Sequence, residues 1–190
     1  MKKISAIILI ISITFLGSQI IAGQNRALAD SVLRFHVLAN SDSPEDQNLK
    51  LEVKDHIIKY MAAEFSQTKD VNEAHRMTEE KLLDIQKEAE TIIGKAGYDY
   101  PVEVVLGTFE FPTKSYGNLV FPQGDYSALR IIIGEGAGKN WWCVLFPPLC
   151  MVSSSDKGLS MDNPREAKVS LKCLELLPKG VKLGKAKQEE

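Results

Sequence analysis

The spacing of apolar residues divides the chain into segments with strand and helix patterns. Residues 31–39 are crowded with valine, leucine and phenylalanine, which predicts a strand. From 43 to 65 and from 70 to 96, apolar residues recur every three or four positions, which predicts two amphipathic helices. Runs of β type, separated by glycine and proline, follow at 101–111, 118–121, 126–133 and 141–146. A last helical pattern covers residues 163–177.

Capping signals place the ends of the two central helices. Ser43 suits the N-cap position, Pro44 the first helical position and Asp46 the acidic position three residues after the cap. Asp70 begins the second helix, and Gly97 suits the residue that follows its end. Because the second helix would be long for a globular protein, we expect it to pack against the first as a helical hairpin.

This order of elements predicts an α+β fold. We expect an antiparallel sheet packed on one side by the helical hairpin and a C-terminal helix, after an N-terminal signal or anchor helix. The predicted organisation is a signal peptide or membrane anchor at 1–29, a single signalling domain at 30–180, and a charged tail at 181–190.

The first 29 residues have the pattern of an export segment. A lysine pair precedes an apolar stretch that runs over residues 4–22. Ala27-Leu28-Ala29 fits a small-x-small cleavage site, which predicts a cleaved signal peptide. The apolar stretch is also close to the about 20 residues that span a bilayer, which predicts a retained anchor instead. Both alternatives carry the rest of the chain across a membrane, and an uncleaved segment would contact it.

Charge and motif searches exclude several classes of function. The chain has 23 basic and 25 acidic residues, and without residues 1–29 its formal charge is −5, so no nucleic-acid partner is expected. The histidines and cysteines lack metal-ligand spacing, and we predict no metal or cofactor. The acids at 42–46 are interpreted as complementing a helix N-terminus. The glycine-rich run at 134–138 is interpreted as a mobile hairpin loop.

Two cysteines near the end of the last β-type run allow three interpretations. Cys143 and Cys150 lie seven positions apart around a Pro-Pro pair, and export permits a disulfide between them. They could equally be buried as small apolar residues. The third alternative is an exported thiol hydrolase, in which one of them acts as nucleophile and His36 as base. Spacing alone does not choose between these alternatives.

Both tryptophans of the chain lie in the same segment as these cysteines. Strand alternation sends Trp141, Cys143 and Leu145 to one face, and Trp142, Val144 and Phe146 to the other. Both faces are then apolar. We therefore expect one face to lie in the core and the other to meet a partner, because aromatic residues are enriched in binding hot spots.

Two long blocks carry a resemblance to a known family. Residues 34–47 read RFHVLANSDSPEDQ, and residues 140–150 read NWWCVLFPPLC. Together they resemble the stage II sporulation protein R family of endospore-forming bacteria. The resemblance runs from about Leu33 to about Cys173, and the export segment is also a feature of that family.

The resemblance implies a function without catalysis. Proteins of this family are made in the forespore and exported into the space between the two sporulation membranes. There they activate a membrane-embedded aspartic protease of the mother cell, which processes the precursor of sigma-E. No catalytic residue is implied. Our hypothetical partner-binding residues are Arg34, His36, Trp141, Trp142, Phe146 and Leu149.

Overall fold

The computed structural model describes residues 9, 11–16, 26–116 and 119–152. Residues 151 and 152 are described only by their backbone. The predicted helix at 163–177 and the charged tail lie outside the described residues. The strands are β1 (Leu33–Leu38), β2 (Val102–Phe111), β3 (Lys114–Tyr116), β4 (Leu119–Phe121), β5 (Gly124–Ile133) and β6 (Asn140–Phe146). The helices are α1 (Pro44–Glu64), α2 (Val71–Glu80) and α3 (Leu82–Lys95), with 3-10 turns at Phe65–Gln67 and Leu149–Val152.

The α+β fold class is confirmed. The main sheet has the order β2-β5-β1-β6, and β3 pairs with β4 as a separate hairpin. The pairs β2·β5 and β1·β6 are antiparallel, as expected, whereas β1 and β5 are parallel. A parallel pair needs a long crossover, which the helices and β2 supply. The first strand of the domain therefore lies inside the sheet, where side chains on both of its faces are buried.

The predicted helix starts are confirmed at the atomic level. The Ser43 side chain accepts a hydrogen bond from the Asp46 amide at 3.1 Å. The Asp70 side chain accepts a hydrogen bond from the Glu73 amide at 2.9 Å. Each cap satisfies an amide that the first turn of a helix leaves without a partner. Gly97 follows α3 with a φ of +86°, the left-handed conformation expected after a helix end.

The single helix predicted over 70–96 is wrong, because the chain bends at Lys81. There the backbone amide bonds to both Met77 and Thr78 at 3.2 Å, which tightens the last turn of α2. The Lys81 ammonium then lies 3.1 Å from the Glu64 carboxylate at the end of α1. The bend allows Ala74 of α2 and Ile85 of α3 both to be fully buried.

Strand alternation gives the main sheet two different faces. The helix face carries Leu33, Phe35 and Val37 of β1, and all three are fully buried. Helix α1 packs on this side, where Lys54 lies over the ring of Trp141 at 4.9 Å from its centroid. We call the opposite side the hairpin face, because the β3–β4 hairpin packs against part of it. It carries Arg34 and His36.

Candidate partner-binding face of the sheet

The hairpin face brings basic and aromatic side chains together from four strands. In the β1·β5 register His36 pairs with Arg130, and in the β1·β6 register it pairs with Trp142. Arg34 lies two positions before His36 and therefore on the same face. The structure thus brings together three of the residues predicted to bind a partner, and it adds Arg130, which the sequence had not indicated.

Arg34 is a fully buried cation in an aromatic box. Its guanidinium carbon lies 4.1 Å from the ring centroid of Phe111 and 4.7 Å from that of Tyr126. Its Nη2 donates to the Tyr116 hydroxyl at 3.1 Å, while Nε and Nη1 have no hydrogen-bond partner among the described residues. Burial lowers the pKa of Arg34. Cation–π attraction replaces part of the lost hydration, but no carboxylate among the described residues pairs with this guanidinium.

His36 connects this box to the tryptophan. Its ring stacks on that of Trp142, with centroids 3.7 Å apart and planes inclined by 12°. Its Nε2 lies 2.8 Å from the Asn140 side-chain oxygen, to which it can donate, and Nδ1 has no partner among the described residues. The pKa of His36 is lowered to about 4, mainly by burial and to a smaller extent by the charges of Arg130 and Arg34. His36 is therefore neutral at pH 7.

We expect His36 to make the domain less stable in mild acid. Its pKa is about 4 when folded and about 6.5 when unfolded, so the unfolded chain binds more protons between these values. The contribution to stability is present above about pH 6.5 and is lost as the pH falls towards 4. Between pH 7.5 and 5.0 the loss is about 2 kcal/mol. Urea unfolding at both pH values measures it.

The matched control is the His36→Gln variant, which keeps an uncharged polar side chain. It shares every other titrating group with the parent. One of these is Asp46, where hydrogen bonds from Ser41 and Asn40 lower the pKa of the carboxyl group. The difference between the two pH dependences therefore isolates His36. Identical dependences would contradict the assignment.

Part of the hairpin face is partly exposed. We call it the open patch; it comprises Leu38, Val105, Phe109, Arg130, Ile132 and Trp142, all half-buried. The Arg130 guanidinium lies 4.9 Å from the ring centroid of Phe109, and its Nε is buried without a hydrogen-bond partner among the described residues. The open patch thus combines two partly exposed aromatic rings with a positive charge, a composition typical of binding hot spots.

The other predicted partner-binding residues lie on the helix side. Trp141 packs edge-on against Phe35, with ring centroids 5.9 Å apart. Phe146 contacts Phe65 at 5.7 Å, and Leu149 is 1% exposed. The prediction that Phe146 shares a face with Trp142 is wrong. A β-bulge leaves one residue of β6 unpaired between Val144 and Phe146 and so reverses the alternation.

The cysteines lie on the helix side as well. In the structure Cys143 and Cys150 are joined as a disulfide, with Cα atoms 5.8 Å apart, a separation that a disulfide can span. A bridge in the exported protein stays a prediction. Cys143 pairs with Phe35 in the β1·β6 register, so its side chain points away from the face that carries His36. The geometry therefore gives no support to a thiol nucleophile with His36 as base.

The glycine-rich run is held by hydrogen bonds to the turn after β1, and the prediction that it forms a hairpin is wrong. It connects β5 to β6 across the end of β1, which lies between them in the sheet. The Glu135 amide donates to the Asn40 side chain at 3.0 Å, and the Lys139 amide donates to the Asp42 carboxylate at 2.7 Å. The polar turn after β1 therefore has a structural role, which its length and hydrogen-bonding side chains could have indicated.

Within the described residues no cluster of histidine, cysteine and carboxylate side chains could hold a metal ion. No helix in the described part of the chain is long and apolar enough to cross a membrane.

Comparison with known proteins gives the same family as the two sequence blocks that contain β1 and β6. The family model "Stage II sporulation protein R" matches residues 29–156. The chain is 38% identical over 165 residues to Stage II sporulation protein R of Bacillus subtilis (strain 168), which covers 86% of this chain and 73% of that protein. No solved structure matches the chain. The matched range contains the whole main sheet, and the chain therefore belongs to the stage II sporulation protein R family.

Proposed function

We propose that this chain is an exported sporulation signal that activates the membrane-embedded aspartic protease of the mother cell. That protease would then process the sigma-E precursor. Family membership supports the sporulation role. The observation that carries the signalling role is the open patch, a partly exposed aromatic and basic surface that the described helices do not cover.

Delivery to the intermembrane space is part of this proposal. The apolar stretch at 4–22 would act as a signal peptide or remain as a membrane anchor. Two described side chains in it, Ile11 and Ile13, are 60% and 61% exposed. Such exposure in a row of apolar residues fits a segment whose surroundings are lipid. The forespore would then present residues 30 onward to the protease.

Activation would follow from binding without catalysis by this chain. A ligand shifts the equilibrium of a receptor towards the state that it binds more tightly. We infer that the open patch contacts the active state of the protease better than the inactive state. Trp142 is the natural anchor for this contact, because its ring is held in place by stacking on His36.

We expect Trp142→Ala to reduce precursor cleavage by about tenfold or more, the cost typical of losing an aromatic hot spot. The assay co-expresses the membrane protease, the sigma-E precursor and this chain in a non-sporulating host, and measures the cleaved fraction. Cleavage must first depend on the presence of this chain.

Trp141→Ala is the matched control, because it removes the same side chain from the helix side of the same strand. It should lower thermal stability with little change in cleavage by the protein that remains folded. Equal losses of cleavage in the two variants, or full activity of Trp142→Ala, would contradict a partner contact at the open patch.

A further inference from the structure

Arg130 occupies the middle of the open patch. It pairs with Val105 of β2 on one side and with His36 of β1 on the other. Its side chain crosses the ring of Phe109 and is half-buried. A partner that covers the two exposed rings of the open patch would therefore also contact the charge of Arg130.

Among the described residues, no carboxylate forms an ion pair with the arginines of this face. Within the described part of the chain, neither Arg34 nor Arg130 makes an ion pair. Glu103, which alternation places on this face, pairs with Ile132, two residues beyond Arg130 on β5, and makes no ion pair with Arg130. Since His36 is neutral at pH 7, the described strands of this face have two arginines against the one acid Glu103, and their net charge is positive.

Partly buried cations without a counter-ion are costly, and a partner's carboxylate would reduce that cost. A carboxylate can also accept two parallel hydrogen bonds from a guanidinium, which fixes its position. The Nε of Arg130 is buried, so a partner's carboxylate would meet this guanidinium at its terminal nitrogens.

We propose that the open patch docks an acidic segment of a partner protein, with a carboxylate on Arg130 and an apolar side chain on Trp142. Under the proposed function this segment would belong to the membrane protease, and to that extent the inference rests on that function. The docking chemistry itself follows from the charges and rings of the face.

An anionic membrane surface fits this face less well. Polybasic attachment to lipid uses a cluster of several lysines or arginines, whereas the open patch contains one.

The test replaces Arg130 in the full-length chain by Lys, Gln or Glu. We expect cleavage in the co-expression assay to fall in that order. Arg130→Lys should stay within about threefold of the parent, and Arg130→Glu should lose about tenfold or more, because like charges repel at an interface. Arg76→Glu is the matched control, since this arginine is exposed on helix α2. It should leave cleavage unchanged. Immunoblots and thermal unfolding confirm equal amounts of folded protein.

Equal losses in the Gln and Glu variants would overturn the proposal, because a role confined to covering Phe109 would not depend on the sign of the charge. Full activity of Arg130→Glu would overturn it too. If the Glu variant fails to fold, the comparison of the Lys and Gln variants still tests whether cleavage depends on the positive charge at position 130.

A second readout separates this inference from the proposed function. The same variants replace the chain in the bacterium that makes it, and heat-resistant spores are counted. If the parent chain supports spores but does not promote cleavage, the protease assignment fails, whereas graded spore counts still support an acidic partner. Suppressors of Arg130→Glu should then change an acid of the partner to a base. Ungraded counts would overturn the docking site.

Flotation with phosphatidylglycerol vesicles tests whether the open patch binds an anionic membrane instead of a protein segment. Flotation of the parent with these vesicles, abolished by Arg130→Glu but not by Arg76→Glu, would overturn a protein segment as the occupant. We expect equal flotation of parent and Arg130→Glu chains.

Discussion

Replacement of Gly138 by alanine is expected to cost about 3 kcal/mol or more, a large fraction of the stability of a domain of this size. A Cβ atom at this position would overlap the backbone carbonyl oxygen of Ser41, which cannot move as a flexible side chain would. The Gly138 amide also donates to the Ala39 carbonyl at 2.9 Å. A backbone shift that relieves the overlap would therefore break this hydrogen bond, which holds the β5–β6 connection to the end of β1. Urea unfolding of residues 30–190 measures the change.

Gly94→Ala is the matched control. Gly94 lies in helix α3, and an added Cβ would meet nothing within 4 Å. Alanine has the higher helix propensity, so this change should stabilise the domain by about 0.5–1 kcal/mol. Equal effects of the two changes would show that the turn after β1 and the glycine-rich connection do not depend on close backbone contact.

Arg34→Ala is expected to be the second large perturbation, with a loss of about 3–5 kcal/mol in the free energy of unfolding. The substitution leaves a cavity among the rings of Phe111, Phe121 and Tyr126, and it leaves the Tyr116 hydroxyl without its donor. Arg34→Met keeps most of the volume and removes the charge. Because the guanidinium has two nitrogens without acceptors among the described residues, methionine should be close to neutral or stabilising.

The comparison of these two variants identifies what the buried arginine supplies. Urea unfolding gives the stability of each, and the cleavage assay gives its signalling. A stable methionine variant with reduced signalling would mean that Arg34 raises the positive potential of the hairpin face for a partner. A methionine variant as unstable as the alanine variant would instead mean that the cation–π contacts of the charge hold the box together.

Local chemistry explains which predictions were confirmed. A cap at Ser43 needs only an amide three residues later, and the left-handed turn at Gly97 needs only a residue without a Cβ. The Pro-Pro pair at 147–148 ends β6 because proline donates no hydrogen bond to a sheet. Each of these features depends on a few neighbouring residues, so the sequence was sufficient.

The candidate site depended on long-range pairing. The sequence contained Trp142 and His36 as separate signals, but their stacking follows from the β1·β6 register, which joins positions more than 100 residues apart. Arg130 gave no signal within the apolar run of β5, because its meaning comes from the parallel pairing with β1. A bulge in β6 decided the face of Phe146, and a single inserted residue of this kind has no reliable local pattern.

The sequence by itself determined the α+β class, the family and most of the described elements, because periodicity, capping and long motifs are properties of neighbouring residues. It did not indicate strand β3 or the break between α2 and α3. Only the tertiary structure decided that β1 lies inside the sheet, that Trp141 and Trp142 lie on opposite faces, and that Arg34 and Arg130 share a face on which neither makes an ion pair among the described residues. The physical reason is that burial and charge balance are set by residues that meet only when distant strands pair.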